Sequence, residues 1–372
     1  MGEKTNMNIF RPIKNKYIFA LLALFFVAYG GILVFFLFLG FDVFQSDVKG
    51  YWIDSENIKT PFHPFHVPGY PFLITILRFL TVDSLSPSTY LHIISFISFA
   101  LALTLVLEIG RMYDVNEKNA FVLAMLFLFW PMVGITYVVY PLADALALFV
   151  FLLGVFCFLI KKNMLGALVF AFALFVHKAL WVYIAIGYLI FALRFWSTLR
   201  FKIFIYGTVI FIPLLIFALI GSFHHNSLTW IISSNLNVEL APRSGLPFLD
   251  GLLGTFLKPG ISSMVKGGIL IFQFLFAFLM LFTAFRIQYN GWEWGASISI
   301  ATLMLMIFLN QYEIWASIRF GRLLVVPFLG YLGNKYVIYQ SKVGKIVVIL
   351  LAGILLVSQL FYAWYLKYYF GA

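Results

Sequence analysis

Charge is what this chain has least of. Of 372 residues, only 10% are Asp, Glu, Lys or Arg, with 25 basic and 14 acidic side chains. A soluble domain of this length carries about 25% charged residues and about 45–50% apolar ones. Here 63% are hydrophobic and 20% aromatic, with a mean hydropathy of +1.01. Such a chain is expected to be an all-α integral membrane protein. Cysteine is almost missing too. The single Cys157 lies inside an apolar run, which excludes a disulfide framework and a cysteine metal site. Long polar segments are also scarce, and no stretch offers an independent soluble domain. The formal charge of +11 does not point to nucleic acid, because the basic residues are spread over short loops between apolar runs instead of over one face.

What is there in abundance is apolar length. The runs 17–39, 88–109, 119–138, 141–160, 163–176, 179–193, 203–221, 267–285, 295–309, 320–333 and 345–366 suggest about 11 transmembrane helices, with a range of 9–13. They would form one transmembrane domain over 1–372. Lys4, Arg11, Lys14 and Lys16 precede a first run too long for a signal peptide, so that run is expected to stay as a helix. The stretch Tyr70–Leu80 is too short to cross and is expected to be a half-helix, dipping in or lying along the membrane. The basic loops at the N-terminus, Arg111–Lys118, Lys161–Lys162, Arg194–Lys202, Arg286 and Lys335–Lys345 fall on one side of this layout, with 15 of the 25 basic residues. The positive-inside rule makes that side cytoplasmic, together with the N-terminus. The loop 40–70 and the large loop 222–266 then face outward.

Polar residues of interest gather on that outer side. The segment 41–72 holds Asp42, Asp47, Asp54, Glu56, His63 and His66, a costly concentration beside a bilayer. Asp47, Tyr51 and Ser55 recur every four residues and share one face of a helix. A carboxylate there can act as a general base toward a hydroxyl. In His63-Pro-Phe-His66-Val-Pro68-Gly69-Tyr70-Pro71 the prolines set the approach to the half-helix, and Gly69 admits a close backbone neighbour. Tyr140 and Asp144 lie four apart where an apolar run begins. Asp144 there is either part of a site or half of a structural ion pair with Lys178 or Arg319. His177 and Lys178 join two short runs. Glu313, Arg319 and Arg322 precede a late run, and the two arginines are spaced so that their forks can converge on one phosphate. Arg243 in the large loop is a weaker candidate.

The Asp-x-x-x-Tyr after the first apolar helix, with the His-Pro-Gly-Tyr-Pro-like turn that follows, resembles the polytopic GT-C glycosyltransferases. These are related to the dolichyl- or polyprenyl-phosphate-sugar-dependent mannosyltransferases and to the aminoarabinose transferase of lipid A. Tyr140–Asp144, His177–Lys178 and Arg319 through Pro327 continue the likeness in the same order. The resemblance implies a GT-C-like fold and an inverting transferase that moves a sugar from a polyprenyl-phosphate donor on the extracytoplasmic face. The acceptor would be a glycan, a lipid or a protein. It gives the general-base role to Asp47, with Asp42 the other choice, since the family's usual acidic pair is absent here. Lys178, Arg319 and His66 would meet the donor phosphate, and Tyr51, His63, Tyr70, Tyr140, Asp144, His177, Arg243, Glu313 and Arg322 would line the site. No cofactor is expected. Asp42 and Asp47 could hold a divalent metal with Asp144, but no paired-histidine spacing supports it. The implied partners are the lipid donor, the acceptor and membrane lipids, in a bacterial inner membrane. The alternatives are a lipid-sugar flippase or transporter and a polysaccharide polymerase.

Overall fold

The computed structural model describes residues 15–38, 46–57, 67–130, 141–227, 230, 250–257, 261–309 and 319–333. Every described element is helical. In chain order they are α1 (Asn15–Phe38), α2 (Ser46–Glu56), α3 (Gly69–Leu80), α4 (Pro87–Met112), α5 (Glu117–Leu128), α6 (Asp144–Leu159) and α7 (Asn163–Leu174). They continue as α8 (Ala179–Leu199), α9 (Phe201–His224), α10 (Asp250–Leu257), α11 (Ile261–Ile287) and α12 (Trp292–Phe308). A 3₁₀ turn, Arg322–Leu324, then leads into α13 (Val325–Gly333).

Local chemistry accounts for several of these boundaries. Ser86 caps α4, its hydroxyl accepting from the Thr89 amide, and Pro87 takes the first helical position, where its missing N–H costs nothing. Asn116 caps α5 in the same way, through the Lys118 amide. One residue, Arg200, separates α8 from α9, with φ +38°. Pro213 lies inside α9.

Among the described residues four helical segments are long and apolar enough to cross a membrane: Pro87–Met112, Ala179–Leu199, Phe201–His224 and Gly267–Ile287. Asn15–Gly31, Gly69–Leu80, Asp144–Leu159, Asn163–Leu174 and Trp292–Phe308 are apolar but shorter. Among the described residues the fold is therefore all-helical, with the long apolar helices of a membrane protein. The helix expected at 345–366 and the second half of the run 119–138 lie outside the described residues.

Burial explains why a helix as short as α6 belongs here. It packs on α4 and α7, and nearly all of it is buried. At 16 residues it spans roughly 24 Å, less than a hydrocarbon core of about 30 Å. Its neighbours, not lipid, cover it. Contact with α7 is made close by two glycines. A Cβ on Gly154 would lie 2.3 Å from the Phe170 ring, and one on Gly166 would lie 2.7 Å from the Phe158 ring. Each ring fills the notch left by the other helix's glycine, the small-residue packing that holds helices together where no hydrophobic effect drives them. Phe158, Phe170, Phe191 and Trp294 continue this aromatic seam into α8 and α12.

Polar links then fix α8 against α12. Ser297 Oγ donates to the Tyr183 carbonyl at 2.6 Å, the Tyr183 hydroxyl meets Thr302 Oγ1 at 3.0 Å, and Arg194 pairs with the buried Glu293. At the periphery α9 presents Phe204, Ile212, Leu215, Ile216, Leu219 and Phe223 outward. In water such a face would be an interaction or aggregation surface. In a bilayer it meets acyl chains.

The short helix α3 has apolar residues on both faces. Tyr70, Pro71 and Ile74 are buried, while Phe72, Ile76 and Phe79 are exposed. Its last turn is tied off by Arg78, which holds Asp83 through two hydrogen bonds at 2.9 and 2.7 Å and lies over the Trp52 ring of α2 at 4.2 Å. The Arg78 hydrogen bond keeps the Asp83 carboxyl below its ordinary range. A depressed folded value means that the contribution is complete above the ordinary carboxylate range, and is lost as the pH falls through and below it. Because Asp83 is exposed, this contribution is small: Asp83→Asn is expected to lower the melting temperature at pH 7 by no more than a degree or so and to converge with the wild type in acid.

Candidate functional site

Four segments that are far apart in sequence meet at one place: the turn into α3, the start of α6, the turn between α7 and α8, and the segment before the 3₁₀ turn. Gly69 makes the first contact. Its amide donates to the Phe175 carbonyl at 2.7 Å, and a Cβ at this position would lie 2.5 Å from the same oxygen. Tyr70 makes the second. Its hydroxyl donates to the Pro141 carbonyl at 2.9 Å, with Ser95 Oγ at 3.4 Å, and the residue is wholly buried. Tyr51 of α2 sets its ring edge-on against Tyr70, with centroids 5.0 Å apart. Thr75 of α3 donates to the Ser55 carbonyl at 2.9 Å. The helix that carries Asp47 is thereby fastened to the helix that opens at Gly69.

Asp144 makes the third and fourth contacts. It is 1% exposed, at the first position of α6. Arg319 Nη1 donates to its Oδ2 at 3.2 Å, and His177 Nε2 stands 3.8 Å from its Oδ1. The His177 ring lies 4.9 Å from the ring of Phe320 and accepts, through Nδ1, the amide proton of Ala179 at 3.1 Å. Lys178 precedes the first residue of α8 and is half-buried. The ion pair with Arg319, one of the two partners weighed for Asp144, is thus formed, and it lies among the other candidate residues. At the start of an apolar helix such a carboxylate is tolerable because it is paired and because the first turn of a helix favours negative charge.

Arg322 has different surroundings from Arg319. It is completely buried, with its guanidinium 5.1 Å from the centroid of Phe99 and 5.5 Å from that of Phe127. Tyr29 of α1 interacts with it and donates its own hydroxyl to the Leu128 carbonyl at 2.5 Å. Arg322 joins α1, α4 and α5 to the segment that carries Arg319, three residues earlier. A planar guanidinium between two rings is not replaced by an ammonium. Arg322→Lys is expected to cost about 2 kcal/mol of stability, read as a lowered unfolding temperature of the purified protein.

The described residues thus bring together Tyr51, Tyr70, Asp144, His177, Lys178 and Arg319. Asp47 lies in α2, one turn before Tyr51. Asp42, His63, His66, Tyr140, Arg243 and Glu313 lie outside the described residues. Sequence reasoning missed Ser95, Pro141 and Phe175. Ser95 shares an i, i+4, i+7 stripe with Ser88 and His92, a signal that could have found it, and the other two act through backbone carbonyls that no side-chain pattern reveals. Among the described residues no three His, Cys, Asp or Glu side chains cluster as a metal site.

Comparison of the chain with protein-family models, with curated proteins and with solved structures finds no match. The functional reading therefore stands on the residues themselves. As chemistry, the cluster offers a buried carboxylate paired with a guanidinium, an imidazole and a phenol, with Lys178 next to His177 in the same turn. That set suits recognition of a phosphate ester and its hydroxyl-bearing substituent.

Proposed function

We propose that the chain is a membrane glycosyltransferase of GT-C type, with about eleven crossings, its N-terminus in the cytoplasm and its site on the extracytoplasmic face of a bacterial inner membrane. It moves a sugar from a polyprenyl-phosphate donor to a hydroxyl of a glycan, lipid or protein, with inversion. One observation carries this reading. The four segments marked by the resemblance, scattered between Asp47 and Arg322, are drawn to one point by Gly69–Phe175, Tyr70–Pro141, Asp144–His177 and Asp144–Arg319.

The step follows from these roles. The acceptor oxygen attacks the anomeric carbon from the face opposite the phosphate. The bond from that carbon to the phosphate oxygen breaks, and polyprenyl phosphate leaves with the electron pair. Asp47 takes the acceptor proton, with Asp42 as the other choice. Arg319, Lys178 and His66 offset the charge that grows on the leaving phosphate. Arg319 is suited to this because its fork spans two acceptors, so it can hold a phosphate oxygen while Asp144 orients it. No nucleotide is needed, since a lipid phosphate is the leaving group and the exposed apolar helices give its tail a place to lie.

The test is transfer by the purified protein in nanodiscs, supplied with labelled polyprenyl-phosphate sugars and membrane extract as acceptor. Asp47→Asn is expected to lower the rate by about 10²–10⁴-fold, the usual share of a general base. Label that reaches product equally fast with Asp47→Asn would remove Asp47 from the mechanism. A wild-type protein that transfers from no donor would overturn the transferase reading.

A further inference from the structure

Asp144 is the last acidic residue before Glu239, and the stretch between them holds Lys161, Lys162, Lys178, Arg194, Arg200 and Lys202. Four of these cations flank the starts of two helices. Lys161 and Lys162 lead into α7, and Arg200 and Lys202 bracket the start of α9. Both starts lie at the end of the bundle remote from the candidate site. α8 runs from Ala179, beside His177, to Leu199, and its 21 residues span roughly 30 Å.

Packing brings the two helix starts together. α7 and α9 run side by side, and the Phe175 and Phe217 rings meet with centroids 5.5 Å apart. Phe175 lies twelve residues past Asn163, and Phe217 lies twelve past Ile205. Asn163 and Ile205 are therefore level, each about 18 Å before that contact. Lys161 and Lys162 then stand within about a turn of the level of Arg200 and Lys202. The hairpin of α8 and α9 is held in place by Tyr188, whose hydroxyl donates to the Ile203 carbonyl. Gly207 makes room for it, since a Cβ there would lie 2.9 Å from the same hydroxyl oxygen.

All four cations are exposed, and among the described residues no ion pair neutralises them. Other cations at this end have acidic neighbours. Arg111 donates to Glu108 at 2.8 Å, Lys118 follows Glu117, and Arg194 pairs with the buried Glu293. An excess of positive charge here is ordinary for a membrane protein. Its convergence from two adjacent helices, with no carboxylate among them, is not.

Next to the cations the surface is apolar. Met164, Leu165 and Leu168 of α7 are exposed, as are Phe201 and Phe204 of α9, and Trp196 sets its ring against Phe204 at 5.4 Å. A soluble acidic partner would match the charges and leave these side chains unmatched. A molecule with a phosphate at one end and acyl chains behind it matches both.

We propose that the paired starts of α7 and α9 form a binding site for an anionic phospholipid, its phosphate held by Lys161, Lys162, Arg200 and Lys202 and its acyl chains lying along the exposed faces of the two helices. The site is separate from the transferase reading and stands without it.

The full-length protein in neutral detergent is titrated with phosphatidylglycerol, phosphatidylcholine and inorganic phosphate, and bound molecules are counted by native mass spectrometry. The wild type is expected to bind its first phosphatidylglycerol at least about tenfold more tightly than phosphatidylcholine. Lys162→Gln/Lys202→Gln removes one cation from each helix start and should weaken that binding about 30-fold, at about fivefold per cation. Lys162→Arg/Lys202→Arg keeps the charge and should remain within about threefold of the wild type. Lys118→Gln/Arg286→Gln removes as much charge from the same end and should also remain within about threefold. Phosphatidylcholine bound as tightly as phosphatidylglycerol would overturn the site. So would equal losses in the two Gln pairs, which would mean a diffuse field over the whole end. Inorganic phosphate that binds with the same dependence on Lys162 and Lys202, and displaces the lipid at millimolar concentration, would make this a site for free phosphate and overturn the lipid assignment.

Discussion

Asp144→Ala is expected to destabilise the protein by about 3 kcal/mol and to lower transfer by at least about 10²-fold. The stability loss comes from Arg319, whose side chain is only 20% exposed and would lose its carboxylate. Breaking a buried pair by removing one member leaves the other charge uncompensated, which costs more than the pair contributes when intact. Asp144→Asn separates the two effects. It keeps volume and one carbonyl acceptor, so Arg319 retains a hydrogen bond and the unfolding temperature should recover by more than half. Activity should recover less, because the charge that orients the guanidinium is gone. Thermal unfolding in detergent beside transfer in nanodiscs reads both. Equal recovery of stability and activity by Asp144→Asn would show that the residue matters only for folding.

Gly69→Ala is the second large effect. The added Cβ would sit 2.5 Å from the Phe175 carbonyl oxygen and 2.8 Å from its carbon, both backbone atoms that cannot rotate away. Either α3 or the turn between α7 and α8 must shift, and the 2.7 Å hydrogen bond between them must lengthen or break. Overpacking of this kind costs about 1–3 kcal/mol. The functional loss should be larger than that suggests, at least about 10²-fold in transfer, because a shift of about 1 Å in a positioning element is enough for that. A control is Gly268→Ala in α11, where nothing stands within 4 Å of the new methyl and no loss is expected. Gly69→Ala with unaltered activity would separate this junction from the site.

The extent to which the site could be read from sequence varies by residue. The helix at Tyr70–Leu80 was legible because its length and the prolines before it left few other readings, and it appears as Gly69–Leu80. The turn at His177–Lys178 was legible because two apolar runs leave only one polar gap between them. The Asp144–Arg319 pair was legible as an alternative, since an acidic residue at the head of an apolar helix needs a cation, and few cations are available in so poorly charged a chain. Arg322 was not legible. Its spacing from Arg319 shows that both lie near one stripe of a helix. Spacing says nothing of the rings of Phe99 and Phe127, contributed by two other helices about two hundred residues earlier, which take the guanidinium in. The backbone acceptors at Pro141 and Phe175 were beyond reach for the same reason. They arise from how helices dock, and every residue has a carbonyl.

The ion pair at Asp144 also has a history in time. A chain is made from its N-terminus, and Arg319 follows Asp144 by 175 residues. When α6 leaves the ribosome and enters the bilayer, the cation that will neutralise its first residue does not yet exist. Until it does, the carboxylate must remain at the aqueous boundary, because an unpaired charge is costly deeper in. The turn that brings His177 is made 33 residues after Asp144, well before Arg319. The arginine arrives last and completes the pairing. A nascent chain halted before Arg319 would then hold α6 without its cation, and the site would be complete only once that later segment had been made.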